Sequence, residues 1–277
     1  MLVKLNELLR EVVHRPCAVP AFNVFGYEDS ISVVEAAEEV NAPVILATNL
    51  DAIQHMPIDM LGKLLCAIAE RTKVPVCVHL DHGKSYEIIA RAIQAGYTSV
   101  MFDGSQLPLE ENIRQTREVV KLAHTFGIPV EAEIGAVGYN DPHLNVKAVY
   151  TDPREAQIFA EQTGVDALAV SIGTVHRLQN PSAVIQFDRL EQIQALVSVP
   201  LVLHGSTGVA DSDMKRLIAS RIAKVNIGTA LRMAFGNTLR EEMANRPDEF
   251  DRIKLFKEPM RRVKETAKQK MVLLGLV

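Results

Sequence analysis

The run Val74-Pro-Val-Cys-Val-His79-Leu-Asp81-His82-Gly83 brings two imidazoles and a carboxylate together at the end of an apolar, β-branched stretch. Side chains alternate along a strand, so His79 and Asp81 share one face and His82 sits at the tip, where Gly83 lets the chain turn away. A strand interior has little use for such groups unless they reach a cavity. One chemistry that fits is a metal ligand beside a proton-transfer acid. The plainer alternative is a polar plug inside a barrel or sheet.

Further polar groups follow other apolar runs: Asp103, Glu133, His176, His204 and Asn226. Three histidines carried by three separate runs, His82, His176 and His204, suit a divalent transition metal, zinc first, because catalytic zinc usually takes three protein ligands and keeps one position open. A role without metal stays open as the alternative. His14, His55 and His124 fall in or near helical stretches and His143 in a loop, so each reads as a surface or packing residue. His79 points inward one layer below Asp81 and reads as hydrogen-bonded structure. A second constellation is rich in glycine and hydroxyls: His204-Gly205-Ser206-Thr207-Gly208 and Asn226-Ile227-Gly228-Thr229 each lead from a strand into a helix. Exposed backbone N–H groups at helix starts form anion sites, so these two stretches suit a phosphate. Each alone is compatible with an ordinary strand-to-helix turn.

Eight short apolar runs carry these groups, at residues 18–26, 43–48, 74–83, 99–104, 128–135, 167–173, 200–205 and 222–229. Stretches with helical spacing separate them, such as Ile31, Val34, Ala37 and Val40 after the first run. Asp152-Pro153 opens another helix well, with Asp as N-cap and Pro in the first turn. Gly96 suits the C-terminal cap of the helix over 85–95. Alternating strands and helices imply a parallel sheet, and eight units close most economically as a single (β/α)8 TIM barrel, with the polar groups gathered at the C-terminal mouth. An open doubly wound sheet is the alternative, but no Gly-x-Gly-x-x-Gly fingerprint follows the first run.

The 277 residues then form one barrel domain, 1–277, with a C-terminal helical extension. A net charge of −4 offers no basic field for nucleic acid. No apolar run reaches membrane-spanning length, and the N-terminus reads as an amphipathic helix rather than a signal peptide. Cys17, Cys66 and Cys77 are odd in number and widely spaced, which fits a reduced, cytoplasmic chain. The apolar end Lys270-Met-Val-Leu-Leu-Gly-Leu-Val277 suggests burial at a subunit contact, hence a homo-oligomer, dimer or tetramer.

Taken together, the run His79 to Gly83, Phe102-Asp-Gly104, Glu131-Ala-Glu-Ile-Gly135, Gly173-Thr-Val-His176, Leu203-His-Gly205 and Lys224-Val-Asn-Ile-Gly-Thr229 resembles the class II, metal-dependent ketose-bisphosphate aldolases. The nearest branch holds the tagatose-bisphosphate and bacterial fructose-bisphosphate aldolases. The resemblance implies a TIM barrel with zinc on His82, His176 and His204, while Asp103 and Glu133 match positions that hold a second or displaced cation, divalent or monovalent. It implies that Asp81 moves the hydroxyl proton, that Asn23 touches substrate, and that Gly205, Ser206, Thr207, Asn226, Ile227, Gly228 and Thr229 hold the dihydroxyacetone phosphate half. The implied reaction is reversible cleavage of a phosphorylated ketose through a metal-stabilised enediolate.

Two departures bear on that expectation. His176 is followed by Arg177 where relatives carry a glycine that lines the phosphate site, and this guanidinium can clamp an anion or crowd the pocket. In the loop Gly138-Tyr139-Asn140-Asp141-Pro142, relatives have a second glycine and then acids that include the carbon base. Asp141 takes that position here. A sensing paralogue without turnover and a zinc hydrolase are the competing functions. A lysine Schiff base on Lys224 is the competing aldolase mechanism, but it leaves three histidines without purpose, so Lys224 reads as a structural or site-supporting charge.

Overall fold

The structure, a computed structural model, describes residues 1–140 and 148–277. Eight parallel strands close a barrel: β1 (Val19–Asn23), β2 (Val44–Thr48), β3 (Val76–Gly83), β4 (Ser99–Phe102), β5 (Val130–Ile134), β6 (Ala167–Val170), β7 (Leu201–Leu203) and β8 (Ile222–Ile227). Each strand pairs with its neighbour in sequence, and β8 returns to β1 with Lys224 opposite Val19 and Asn226 opposite Ala21. This is the (β/α)8 barrel expected from the alternation of elements. Because both faces of every strand are covered, the strands read as nearly unbroken apolar runs: all five residues of β2 are buried.

The interior is layered. At the bottom, helix α1 (Leu5–Val12) inserts Leu5, Leu8, Leu9 and Val12 against the inward-facing Val19, Ile45, Cys77, Met101 and Val202. Small residues, Ala21, Ala47, Ala167 and Ala169, fill the narrow waist. Above that apolar plug lie buried polar side chains, including His79, Glu131 and Lys224, and above them the open mouth. The bottom is therefore sealed by apolar burial and the chemistry is confined to the strands' C-terminal ends. Outside the barrel, amphipathic helices cover the strands. After α2 (Tyr27–Val40) and the short α3 (Leu50–His55), α4 (Ile58–Arg71) does so with Leu61, Leu65, Ile68 and Ala69.

The remaining helices are α5 (Tyr86–Gln94), α6 (Leu109–Thr125), α7 (Pro153–Thr163), α8 (Phe187–Leu196), α9 (Asp211–Ile218), α10 (Thr229–Asn245) and α11 (Arg252–Leu273). Asp152 caps α7 as expected, its carboxylate accepting from the N–H groups of Arg154 and Glu155. Several expected runs are shorter as strands. The eighth stops at Ile227, because Gly228 and Thr229 begin α10. The sixth stops at Val170, freeing residues 171–174 to turn toward a two-stranded ribbon in which Gly138–Tyr139 runs parallel to Val175–His176. At the N-terminus, Leu2 bridges Val76 as extended chain and helix begins only at Leu5.

The apolar C-terminus also finds a different explanation. Leu274 and Met271 are buried against the chain's own barrel, and the Leu274 carbonyl accepts from the Ala18 N–H at 3.1 Å. Met271 and Leu274 are thus accounted for without a subunit contact, while Val272 and Val277 stay exposed. Among the described residues, no helix is long and apolar enough to cross a membrane.

Candidate active site

The barrel mouth encloses a cavity of about 320 Å³, and the strand ends deliver polar side chains into it or just beneath it. His82 ends β3 in the left-handed region at φ 51°, a conformation rare for a non-glycine residue that turns the ring toward the mouth. His204 follows β7 and is fully buried beneath the cavity, while His176 comes from the ribbon after β6. One ring nitrogen from each of these three lies within 4.8 Å of the other two.

Carboxylates decide which nitrogens those are. Asp103 accepts from His82 Nδ1 at 2.7 Å, and Glu131 accepts from His204 Nε2 at 2.9 Å. A carboxylate that only accepts fixes a proton on the nitrogen facing it, which leaves His82 Nε2 and His204 Nδ1 to meet each other, 3.0 Å apart. Among the described residues His176 Nε2 is buried with no hydrogen-bond partner. A buried nitrogen without a partner is unfavourable by itself, and a shared divalent cation that displaced the proton between His82 and His204 would engage all three. At a zinc–nitrogen length of ~2.1 Å, tetrahedral ligand atoms lie about 3.4 Å apart, against 3.0 Å for the His82–His204 pair and at most 4.8 Å within the trio. The residues present therefore fit a three-histidine metal centre.

Electrostatics around the trio are sharply divided. Burial alone would lower His82, but the carboxylates of Asp81 and Asp103 outweigh it and raise the imidazole to about 9. Burial lowers His204, and burial with the neighbouring His82 and His204 holds His176 well below the ordinary imidazole range. Burial would raise Asp81, yet His82, His204 and Lys224 keep its carboxyl below the usual range, so it is ionised.

Asp81 is held from both sides. Asn23 Nδ2 donates to its Oδ2 at 2.8 Å and Asn226 Nδ2 to its Oδ1 at 2.9 Å. Two amides thus hold the carboxylate beside the histidines, on the cavity wall. His79, one layer down, donates or accepts at Ser99 Oγ at 2.8 Å and is fully buried, the structural place expected for it.

Asp103 and Glu133 form a second group with His82, again with candidate atoms within 4.8 Å. Both groups draw on His82. Asp103 Oδ2 also accepts from Lys84 Nζ at 2.6 Å, and its Oδ1 from Ser105. Glu133 is raised to about 8, first by burial and then by the Asp103 charge, and its Oε2 has no partner among the described residues.

The two glycine-rich stretches meet on one side of the cavity. Ser206 to Gly208 make a short 3-10 turn, Gly228 and Thr229 start α10, and the Ser206 hydroxyl ties the two by donating to the Asn226 carbonyl. Gly205, Ser206, Thr207, Asn226, Gly228 and Thr229 all line the cavity, as does Asn23. Ile227 does not: its side chain is packed in the apolar layer between barrel and helices, since neighbours on a strand face opposite ways. Only its backbone can serve a ligand there.

Arg177, also on the cavity wall, has φ 61°, so it occupies the left-handed backbone position that suits a glycine. Its guanidinium is 3.7 Å from Asp51 Oδ2, which also meets Arg232 at 3.2 Å. Asp141 lies outside the described residues. Several lining groups escaped the sequence reading. Tyr139 stacks on His176 with centroids 4.4 Å apart, and Asp51, Lys84 and Arg232 complete the rim. Glu131 stood in a quoted motif without a role, although its spacing from Glu133 puts both on the inner face of β5.

A profile of the family described as "Fructose-bisphosphate aldolase class-II" matches residues 3–277. The fructose-bisphosphate aldolase of Thermus caldophilus is 39% identical over 303 aligned positions, covering 100% of this chain and 99% of that protein. A protein described as a probable fructose-bisphosphate aldolase of Bacillus subtilis (strain 168) is 39% identical over 274 positions, covering 98% of this chain and 96% of its own length. The crystal structure of the YdjI aldolase of Escherichia coli K12 superposes with a TM-score of 0.87 at 36% identity, covering 100% of this chain and 98% of that one.

Proposed function

The chain belongs to the class II fructose-bisphosphate aldolase family, and from that membership we propose that it is a zinc aldolase that reversibly cleaves a phosphorylated ketose, of the tagatose- or fructose-1,6-bisphosphate kind, to dihydroxyacetone phosphate and an aldehyde. We take residues 1–277 as one working unit. The observation that carries the reading is His176 Nε2, without a partner among the described residues, beside the inward nitrogens of His82 and His204, with Asp81 gripped by two amides next to them.

In this reading His82, His176 and His204 hold the zinc, with Asp103 and Glu131 fixing the rings of the first and third. Zinc, when bound, supplies the Lewis acidity that offsets the enediolate charge left when the carbon–carbon bond breaks. Asp81 takes the proton from the hydroxyl that becomes the aldehyde oxygen, and returns it during condensation. Its depressed pKa keeps it ionised and ready to accept. The turn at Ser206 and the start of α10 hold the phosphate of the dihydroxyacetone half through backbone N–H groups and hydroxyls. Asn23 and Asn226 keep the carboxylate aimed. Arg177 faces the same cavity and offers a guanidinium to an anionic end of the substrate. Asp103 and Glu133 offer a second position for a divalent or monovalent cation.

Release of triose phosphate from a panel of ketose mono- and bisphosphates tests this. Zinc-loaded protein cleaves at least one, and Asp81→Ala slows that cleavage by roughly 10²–10⁴-fold, the range for a positioned acid–base group. Cleavage that survives Asp81→Ala unchanged contradicts the assignment.

A further inference from the structure

Beneath the metal trio sits one ammonium that the proposed chemistry does not use. Lys224 is fully buried on the inner face of β8, and burying a charge is costly unless it is paired. Its Nζ reaches two acceptors, Glu131 Oε2 at 2.8 Å and Asn226 Oδ1 at 2.7 Å. Those two acceptors lead to different halves of the site. The other oxygen of Glu131 receives His204 Nε2, and the other end of the Asn226 amide donates to Asp81 Oδ1.

We infer that Lys224 is a positioning residue that couples the metal half of the site to the proton-transfer half. On the Glu131 side, the ammonium holds a carboxylate in its accepting, charged form within an apolar-walled barrel. That carboxylate keeps the proton on His204 Nε2 and the lone pair on Nδ1, toward the other histidines. On the Asn226 side, a lysine can only donate, so it draws Oδ1 downward and leaves the amide's N–H groups pointing up at Asp81. Lys–x–Asn spacing on one strand makes this possible, because both residues then share the inward face. The same geometry places Nζ one layer below the cavity, under Asn226. Lys224 is absent from the cavity wall, as a group acting through others would be.

A buried ion pair kept only for structure would predict otherwise, since removing both charges together would restore what removing one had lost. The inference rests on the aldolase reading for its kinetic arm alone. Lys224→Met and the charge-neutral Glu131→Gln/Lys224→Met are compared with the wild type, with circular dichroism to establish folding. Zinc affinity is measured by competition with a chromophoric chelator, and kcat at saturating zinc with the ketose that the wild type cleaves.

Lys224→Met is expected to weaken zinc by roughly 10–100-fold, the range for loss of a supporting partner behind a ligand. It should also lower kcat at saturating zinc by about tenfold or more through the disordered Asp81. In the double variant the amide oxygen that Glu131→Gln introduces again accepts from His204, so zinc affinity returns to within about threefold while kcat stays low. If Lys224→Met does not fold, the double variant carries the test through the same split. Restoration of both quantities in the double variant, or a folded Lys224→Met that keeps either within about threefold of wild type, overturns the inference. A wild type that binds zinc but releases no triose phosphate sinks the aldolase reading instead, and leaves the zinc arm to judge Lys224.

Discussion

Gly205 and Gly164 share a backbone conformation and differ in what surrounds them, so one substitution at each separates strain from collision. Gly205 has φ 68° and Gly164 φ 71°. An alanine in the left-handed region costs about 1–2 kcal/mol, offset in part by ~0.4–1 kcal/mol from the stiffer unfolded chain. At Gly164, the C-terminal cap of α7, a new Cβ meets nothing within 4 Å, so Gly164→Ala should destabilise by roughly 1 kcal/mol and no more. At Gly205 the same Cβ would stand 2.8 Å from the Val175 carbonyl carbon and 3.1 Å from the His176 nitrogen. Those are backbone atoms of the ribbon that carries His176, the proposed metal ligand, and they cannot rotate away. Overpacking of this kind adds about 1–3 kcal/mol, bringing Gly205→Ala to roughly 2–4 kcal/mol. The ribbon must also move to admit the methyl, so zinc affinity should fall by about tenfold or more, with no such change in Gly164→Ala. Urea melts and chelator competition on the two variants decide the matter. Equal destabilisation and equal zinc affinity would refute both the packing of Gly205 on the ribbon and the ligand role of His176.

Other consequences follow from the groups around the trio. His82 is raised to about 9, so in chelator-stripped protein at pH 7 it carries a proton that an incoming cation must displace. Calorimetric zinc titrations in buffers of different ionisation heat should therefore report release of about one proton per ion, and none released would contradict the Asp81 and Asp103 environment of His82. Asp103→Asn removes the acceptor that fixes His82 Nδ1–H and should weaken zinc by roughly 10–100-fold, whereas unchanged affinity would remove Asp103 from that role. His79 is lowered to about 3 by burial and Lys224, beneath its ordinary 6.5. The unfolded chain thus binds more protons between those values, so His79 contributes stability above pH 6.5 that is lost as pH falls toward 3. His79→Gln should flatten urea-measured stability between pH 6.5 and 5 by up to about 1.4 kcal/mol per pH unit, and an unaltered slope would count against it.

The barrel was legible because parallel strands buried on both faces leave continuous apolar runs, and polar residues at their ends stand out against that background. His82, His204, Asp81 and Asn226 were found that way. The ends of strands were less visible: nothing apolar changes at Gly228-Thr229, yet the backbone switches to helix there. Ile227 was grouped with its neighbours by sequence although strand alternation turns its side chain outward. Glu131 and Lys224 were hard to read because buried charges look like errors until their partners are known, and those partners are 93 residues apart in the chain, from 131 to 224. Tyr139 comes from a two-residue ribbon strand and Asp51 and Arg232 from helix starts, elements too short or too terminal for periodicity to mark which way a side chain points. The C-terminal tail is legible only as apolar, since apolarity announces burial without naming the surface that covers it, and here the chain's own barrel covers Met271 and Leu274.

The most direct test of the account is ketose cleavage assayed in the presence of a chelator, after return of zinc, and after treatment with borohydride together with the ketose. The three-histidine centre predicts that cleavage stops with chelator, recovers with zinc, and is untouched by borohydride. Cleavage that persists in chelator and is lost to borohydride would place the chemistry on a lysine Schiff base, and would contradict the roles assigned to His82, His176, His204 and Asp81.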